Sequence, residues 1–166
     1  MNKIIVLGSP GSGKSYFSKK LSNILNIPVY HLDNIFWNKN KTHVSNDEFD
    51  QKLNDILSKD KWIIDGDYSR TYETRIKSSD TIYFLNIKLD ECLKNIESRI
   101  NIKRDDIPFI ETEFETEFKE WVIDWHKSKH SILLGLLNKY QTTKTIITLN
   151  SKEEIDDYLK NIISIS

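Results

Sequence analysis

One cysteine, one methionine, three prolines, five glycines and four arginines are all that the 166-residue chain holds of those residue types. A single Cys92 excludes an internal disulfide and any zinc site built from several cysteines. Leu89, Leu93 and Ile96 surround it at helical spacing, so it reads as a packed, inert thiol. No apolar run approaches the length that spans a bilayer, and the N-terminus enters a strand without a basic start followed by a long apolar segment. The expected setting is therefore cytoplasmic, with no membrane partner. Long blocks of like charge are absent too, and the formal net charge is -1, so nothing resembles a nucleic-acid footprint and DNA is not the expected partner. At this length and 38% hydrophobic content the chain suits one domain, 1–166, able to bury roughly 70% of its unfolded surface.

What is present is alternation. Ile4, Ile5, Val6 and Leu7 read as a strand, and Phe17, Leu21, Ile24 and Leu25 as a helix that stops near Asn26 and Pro28. Strands follow at 28–32, 61–65, 81–87 and 145–149. The segment 33–44, polar and rich in Asn, reads as an irregular loop over the sheet edge. Ser45 with Glu48, and Ser151 with Glu154, cap helices that carry Phe49, Leu53, Ile56 and Leu57 in the first case and Ile155, Leu159 and Ile162 in the second. A short helical stretch covers 71–77, and Leu89, Cys92, Leu93, Ile96 and Ile100 mark another helix. After a break at 102–111, helix resumes from about 112 to 140, with Phe114, Phe118, Trp121, Val122 and Trp125 on one face. The pattern predicts an α/β fold: a five-stranded parallel sheet covered by helices on both faces, with ligands outside the carboxyl ends of the strands.

The stretch GSPGSGKS, residues 8–15, lies at such an end. Its glycines permit dihedrals and a close approach that let backbone N–H groups converge on phosphate oxygens. The pattern is expected by chance in well under one chain in about a hundred, and here it has a strand before it and a helix after it. Gly8, Ser9, Pro10, Gly11, Ser12, Gly13, Lys14, Ser15 and the adjoining Tyr16 are the expected ATP-binding residues. Lys14 would reach the terminal phosphates, and Ser15 would place its hydroxyl on Mg²⁺ at a helix N-terminus. Asp65 closes the third strand and either supports the metal through water or makes the turn before Gly66.

The arginines are unevenly spread. The chain has 20 lysines, yet Arg70, Arg75, Arg99 and Arg104 all fall in one segment. A planar guanidinium grips phosphate in a bidentate way that lysine cannot reproduce. Arg70 and Arg99 are read as functional on this ground, while Arg75 fits either a ligand role or a solvated surface.

GSPGSGKS, DGDYSRT and the order of helices after the fourth strand resemble the adenylate-kinase-like P-loop kinases over essentially the whole chain. HLDNIFW together with WIIDGDYSRT resembles, more narrowly, the bacterial DNA topology modulation proteins. The resemblance implies phosphate contacts from residues 8–15, metal support from Asp65, an acceptor-phosphate grip from Arg70, and a lid at about 101–112 in which Arg99 and Arg104 close over the nucleotide. In adenylate kinases the arginine comes four residues after the aspartate, whereas Arg70 lies five after Asp65, with Asp67 between them. No arginine follows Arg104, which leaves Lys127, Lys129 and His130 as substitutes for the later arginines of that group. Asp33 follows the second strand, where related sugar and nucleoside kinases carry an acid that binds or deprotonates a substrate hydroxyl; the alternative is a turn cap. Trp37 either stacks on an acceptor ring or covers the sheet edge. Trp121 and Trp125 read as core, His31 reads as a satisfied core or edge histidine, and Tyr68 has no assignment. The expected activity is ATP- and Mg²⁺-dependent phosphoryl transfer to a small molecule, a nucleoside or nucleotide, by a monomer or homodimer. The alternative is a nucleotide-dependent regulator of DNA topology or gene expression without kinase activity.

Overall fold

The computed structural model describes residues 1–165. Strands β1 (Lys3–Gly8), β2 (Val29–His31), β3 (Trp62–Asp65), β4 (Thr81–Leu85) and β5 (Thr145–Leu149) form one parallel sheet in the order β2-β3-β1-β4-β5. Successive side chains of a strand point to opposite faces, and β1 divides accordingly. Ile5 and Leu7 join Phe49, Leu53, Trp62, Ile64, Tyr72, Phe84 and Trp125 in one core. Ile4 and Val6 join Phe17, Leu21, Ile63, Tyr83 and Cys92 in the other. Helices α3 (Asn46–Leu57), α4 (Tyr72–Ser78) and α7 (His130–Tyr140) supply the first layer, and α1 (Lys14–Leu25), α5 (Leu89–Ser98) and α8 (Lys152–Ile165) the second. The expected doubly covered parallel sheet is what forms.

Local signals explain several helix ends. The backbone N–H groups of Glu48 and Glu154 donate to the Ser45 and Ser151 hydroxyls, as the capping pattern requires. Two boundaries differ from expectation. Residues Leu32–Phe36 form a short helix, α2, instead of an irregular loop. Leu32 is fully buried beneath it, and the Trp37 N–H closes its last turn on the Asp33 carbonyl. Burial of Leu32, with Ile35 and Phe36 packed on the core, and a paired turn outweigh the polar composition, and irregular chain begins only at Trp37. The helix expected from 112 starts later, as α6 (Thr116–Asp124), and runs through one π-helical turn, Trp125–Lys129, into α7. Such turns rotate side chains out of α register and are frequent at functional sites.

Cys92 is fully buried, and desolvation pushes its thiol up to about 11. At pH 8 a thiol-specific reagent should label the folded protein roughly 100-fold more slowly than the denatured chain. Equal labelling rates would show that this layer is open. Among the described residues no helix is long and apolar enough to cross a membrane.

Candidate active site

Sheet order brings the site together. β1 and β3 are neighbours, with Val6 opposite Asp65, and β2 lies outside β3, with His31 opposite Asp65. The loop after β1, the helix after β2 and the turn after β3 therefore converge at the carboxyl end of the sheet. They line one cleft of about 1430 Å³.

The glycine-containing loop has the geometry the motif demands. Gly13 caps α1 in the left-handed region, φ 89°, which aims the first N–H groups of the helix at the cleft. Gly11 packs so close to α5 that an added Cβ would stand 2.3 Å from the Cys92 carbonyl oxygen. The Lys14 ammonium folds back onto the Gly8 and Ser9 carbonyls, at 3.0 and 2.8 Å. Burial lowers the pKa of Lys14, with the carboxylates of Asp67, Asp65 and Asp33 opposing that shift. Ser12 Oγ is buried without a hydrogen-bond partner inside the loop, an orphan that a phosphate oxygen would satisfy. Pro10, Ser15 and the exposed Tyr16 line the same cleft.

Three carboxylates face this lysine in different states. Asp65 accepts from His31 Nδ1 at 2.8 and 3.0 Å. Burial alone would lower the pKa of His31, but Asp65, with Asp106 and Asp33 farther off, raises it. His31 is thus satisfied, as expected, by a cleft carboxylate rather than by the core. Burial raises the pKa of Asp33, against the hydrogen bond from the Tyr68 hydroxyl at 2.7 Å and the charge of Lys14. Asp67, noted in the sequence only as an interruption before Arg70, is 8% exposed. Its Oδ1 accepts from Trp125 Nε1 at 2.8 Å and from the Tyr72 hydroxyl.

The four arginines separate. Arg75 is fully buried and donates to Thr71 Oγ1 and to the carbonyls of Gly66, Asp67 and Tyr68, so the surface reading is corrected. It braces the turn that carries Tyr68, whose φ of 32° places a bulky residue in the left-handed region. Arg70 lines the cleft, yet its guanidinium forms a bidentate pair with Asp50 at 2.7 and 2.8 Å. Arg104 belongs to the expected lid, and Arg99 closes α5 just before it. Arg104 donates to Asp106 and Glu111, and Arg99 pairs with Glu111 at 3.0 Å. This segment is tied to α1 and α2: Ser15 Oγ donates to Asp106 at 2.6 Å, Asn34 to the Asp105 carbonyl, and Lys19 pairs with Asp105. Burial would raise the pKa of Asp106, but hydrogen bonds from Arg104 and Ser15 hold it well below the usual carboxylate range.

The tryptophans also divide. Trp125 is core, whereas Trp121 is 38% exposed and lines the cleft with Lys129 Nζ 4.8 Å above its ring; this corrects the core assignment. Trp37 lines the cleft, edge-on to Phe36, His43 and Phe109. Of the three substitutes for later arginines, Lys129 lines the cleft, His130 is engaged by Asn86, and Lys127 is exposed.

Ser15 Oγ and the carboxylates of Asp33 and Asp65 are hard oxygen donors of the kind Mg²⁺ prefers. Among the described residues no group of three or more His, Cys, Asp or Glu side chains is arranged to hold a metal by itself. The donor set fits an ion that takes most of its ligands from nucleotide phosphates and water.

No family model matches the chain, and no curated protein is similar to it in sequence. Solved structures are similar in fold. Shikimate kinase from Bacteroides thetaiotaomicron is 16% identical, with 98% of this chain and 96% of that chain covered and a TM-score of 0.54. Shikimate kinase from Acinetobacter baumannii, in complex with shikimate, is 14% identical over 99% and 92%, with a TM-score of 0.62. A gluconokinase from Sinorhizobium meliloti 1021 is 10% identical over 98% and 90%, with a TM-score of 0.58. The chain has the P-loop fold of these small-molecule kinases.

Proposed function

We propose that the protein transfers the γ-phosphoryl group of ATP, with Mg²⁺, to a hydroxyl of a small ring-bearing acceptor of the nucleoside kind. The observation that carries this reading is Asp33: a desolvated carboxylate oriented by Tyr68, in the same cleft as the phosphate-loop lysine. The 8–15 loop binds the nucleotide phosphates through backbone N–H groups, and Lys14 leaves its carbonyl partners for them. Ser15 and, by way of water, Asp65 would hold Mg²⁺, which would supply positive charge to offset that of the phosphates. Asp33 takes the proton of the acceptor hydroxyl as its oxygen forms the new bond to the γ-phosphorus. The bond from that phosphorus to the β–γ bridging oxygen breaks, and ADP leaves. Arg104, on the segment already resting on α1, and Arg99 just before it compensate the charge of the transferring group and exclude water.

An acceptor phosphate, the other outcome for Arg70, would have to displace Asp50 from a bidentate pair. A hydroxyl at Asp33 requires no such exchange, which favours a nucleoside over a nucleotide. The shikimate kinase and gluconokinase folds support phosphoryl transfer to small molecules in general. The narrower likeness to DNA topology modulation proteins rests on HLDNIFW and DGDYSRT.

A screen of nucleosides, nucleotides and sugars for ATP consumption tests the reading. With the best acceptor, Asp33→Asn should lower turnover by roughly 100-fold or more while ATP affinity stays within about twofold. Wild-type turnover by this variant would remove the general base, and a silent screen would return the site to a regulatory role.

A further inference from the structure

Asp67 is a buried acid that phosphoryl transfer does not use. Trp125 Nε1 and the Tyr72 hydroxyl both donate to its Oδ1, so the carboxylate is fixed from the core side. Its Oδ2 is buried and accepts no hydrogen bond, and the residue lines the cleft. The nearest cation is Lys129 Nζ at 3.9 Å, half-buried and poised above the Trp121 ring. The π turn produces this pairing: Trp125 and Lys129, at its two ends, both reach Asp67. An unsatisfied carboxylate oxygen in a largely desolvated setting is costly unless a donor fills it.

The arginines close off the opposite chemistry. Arg70 is taken by Asp50 and Arg75 by backbone carbonyls, while Arg99 and Arg104, paired with Glu111 and Asp106, are assigned above to the transferring phosphoryl group. A carboxylate or phosphate placed against Asp33 and Asp67 would meet like charge, which disfavours an anion at that position.

We propose that Asp67 is an acceptor-recognition residue that binds a hydrogen-bond donor, a hydroxyl or an ammonium, on an uncharged or cationic acceptor. The assignment rests on the phosphoryl-transfer reading of the cleft. Lys129 screens Asp67 Oδ2 while the cleft is empty and yields when the donor arrives.

The test uses probes matched in skeleton and differing in charge: adenosine against AMP, and glucosamine against glucuronate. ADP release is followed at pH 7.5, and binding is measured by saturation-transfer NMR and calorimetry on protein loaded with the β,γ-imido analogue of ATP. The uncharged or amine member of each pair should be preferred. Asp67→Asn keeps an oxygen for Trp125 and Tyr72; it should raise the acceptor KM or Kd by about tenfold or more, with kcat within about threefold. Lys129→Gln should tighten glucosamine binding by about threefold, since a competing cation is removed. Preference for AMP and glucuronate, no binding of adenosine or glucosamine, or an unchanged acceptor KM in Asp67→Asn overturns the assignment. If Asp67→Asn does not fold, Lys129→Gln decides: unchanged or weaker glucosamine binding is the overturning result. Asp67-dependent binding without ADP release sinks the kinase reading and leaves this one standing, whereas ADP release indifferent to Asp67 does the reverse.

Discussion

Lys14→Ala should lower phosphoryl transfer by about 1000-fold and weaken ATP by at least about tenfold, with the fold unchanged. Its ammonium makes two hydrogen bonds, both to carbonyls of its own loop. The Ser9 carbonyl keeps a partner without it, because the Ser12 N–H also donates there at 3.1 Å. Little of the fold is therefore lost. The electrostatic consequence is larger. Asp33, Asp65 and Asp67 all act on Lys14, and with that cation gone they face the incoming phosphates as a cluster of negative groups. Affinity falls through lost attraction and through uncovered repulsion, and the developing charge on the transferred group loses its nearest fixed cation. Calorimetric titration of ATP and ADP-release kinetics check the two parts separately. Wild-type ATP affinity in the variant would show that Lys14 does not serve the nucleotide.

The phosphate loop was legible because its geometry is local. Eight consecutive residues fix the dihedrals, and an apolar strand before it with an amphipathic helix after it completes the unit. Asp33 and Asp65 were legible because parallel topology sends every strand end to the same rim. Asp67, Arg75 and Tyr68 were not. Arg75 is an arginine in a short polar helix, and the acceptors that bury it are carbonyls, which carry no signal in side-chain identity. Tyr68 gains its role from Asp33, 35 residues earlier, and Asp67 from Trp125, 58 residues later. The contact of Ser15 with Asp106 spans 91 residues. Trp121 and Trp125 looked equivalent at a helical spacing of four, but Val122 and Trp125 carry the buried face and Trp121 stands beside it, on the cleft. Composition hid α2 as well, since Leu32, Ile35 and Phe36 pack on the core ahead of a polar, Asn-rich stretch that dominates the segment's composition.

Arg75→Ala should cost about 3 to 5 kcal/mol of stability, a large share of what a domain of this size has. Arg75 is 0% exposed, and its donors serve four acceptors: Thr71 Oγ1 at 3.0 Å and the carbonyls of Gly66, Asp67 and Tyr68 at 3.0, 2.7 and 3.3 Å. Burial lowers its pKa to about 10, which still leaves it charged near neutrality, held further by the Tyr72 ring 5.3 Å away. Alanine leaves a cavity and strips those carbonyls of a donor in a place water reaches poorly. The loss extends to the chemistry. The left-handed backbone at Tyr68 stores about 1 to 3 kcal/mol of strain that the surrounding bonds must hold. Once Arg75 is gone the turn should relax, the Tyr68 hydroxyl should leave Asp33, and the proposed general base should lose its orientation. Turnover should therefore fall even at temperatures where the variant remains folded. Arg75→Lys should sit between the two proteins, because one ammonium carries the charge but cannot span four acceptors in a planar fork. Urea unfolding of the three proteins measures the first effect, and ADP release at 15 °C measures the second. A stability loss below about 1 kcal/mol for Arg75→Ala would mean that the turn is held by its neighbours and not by the buried guanidinium.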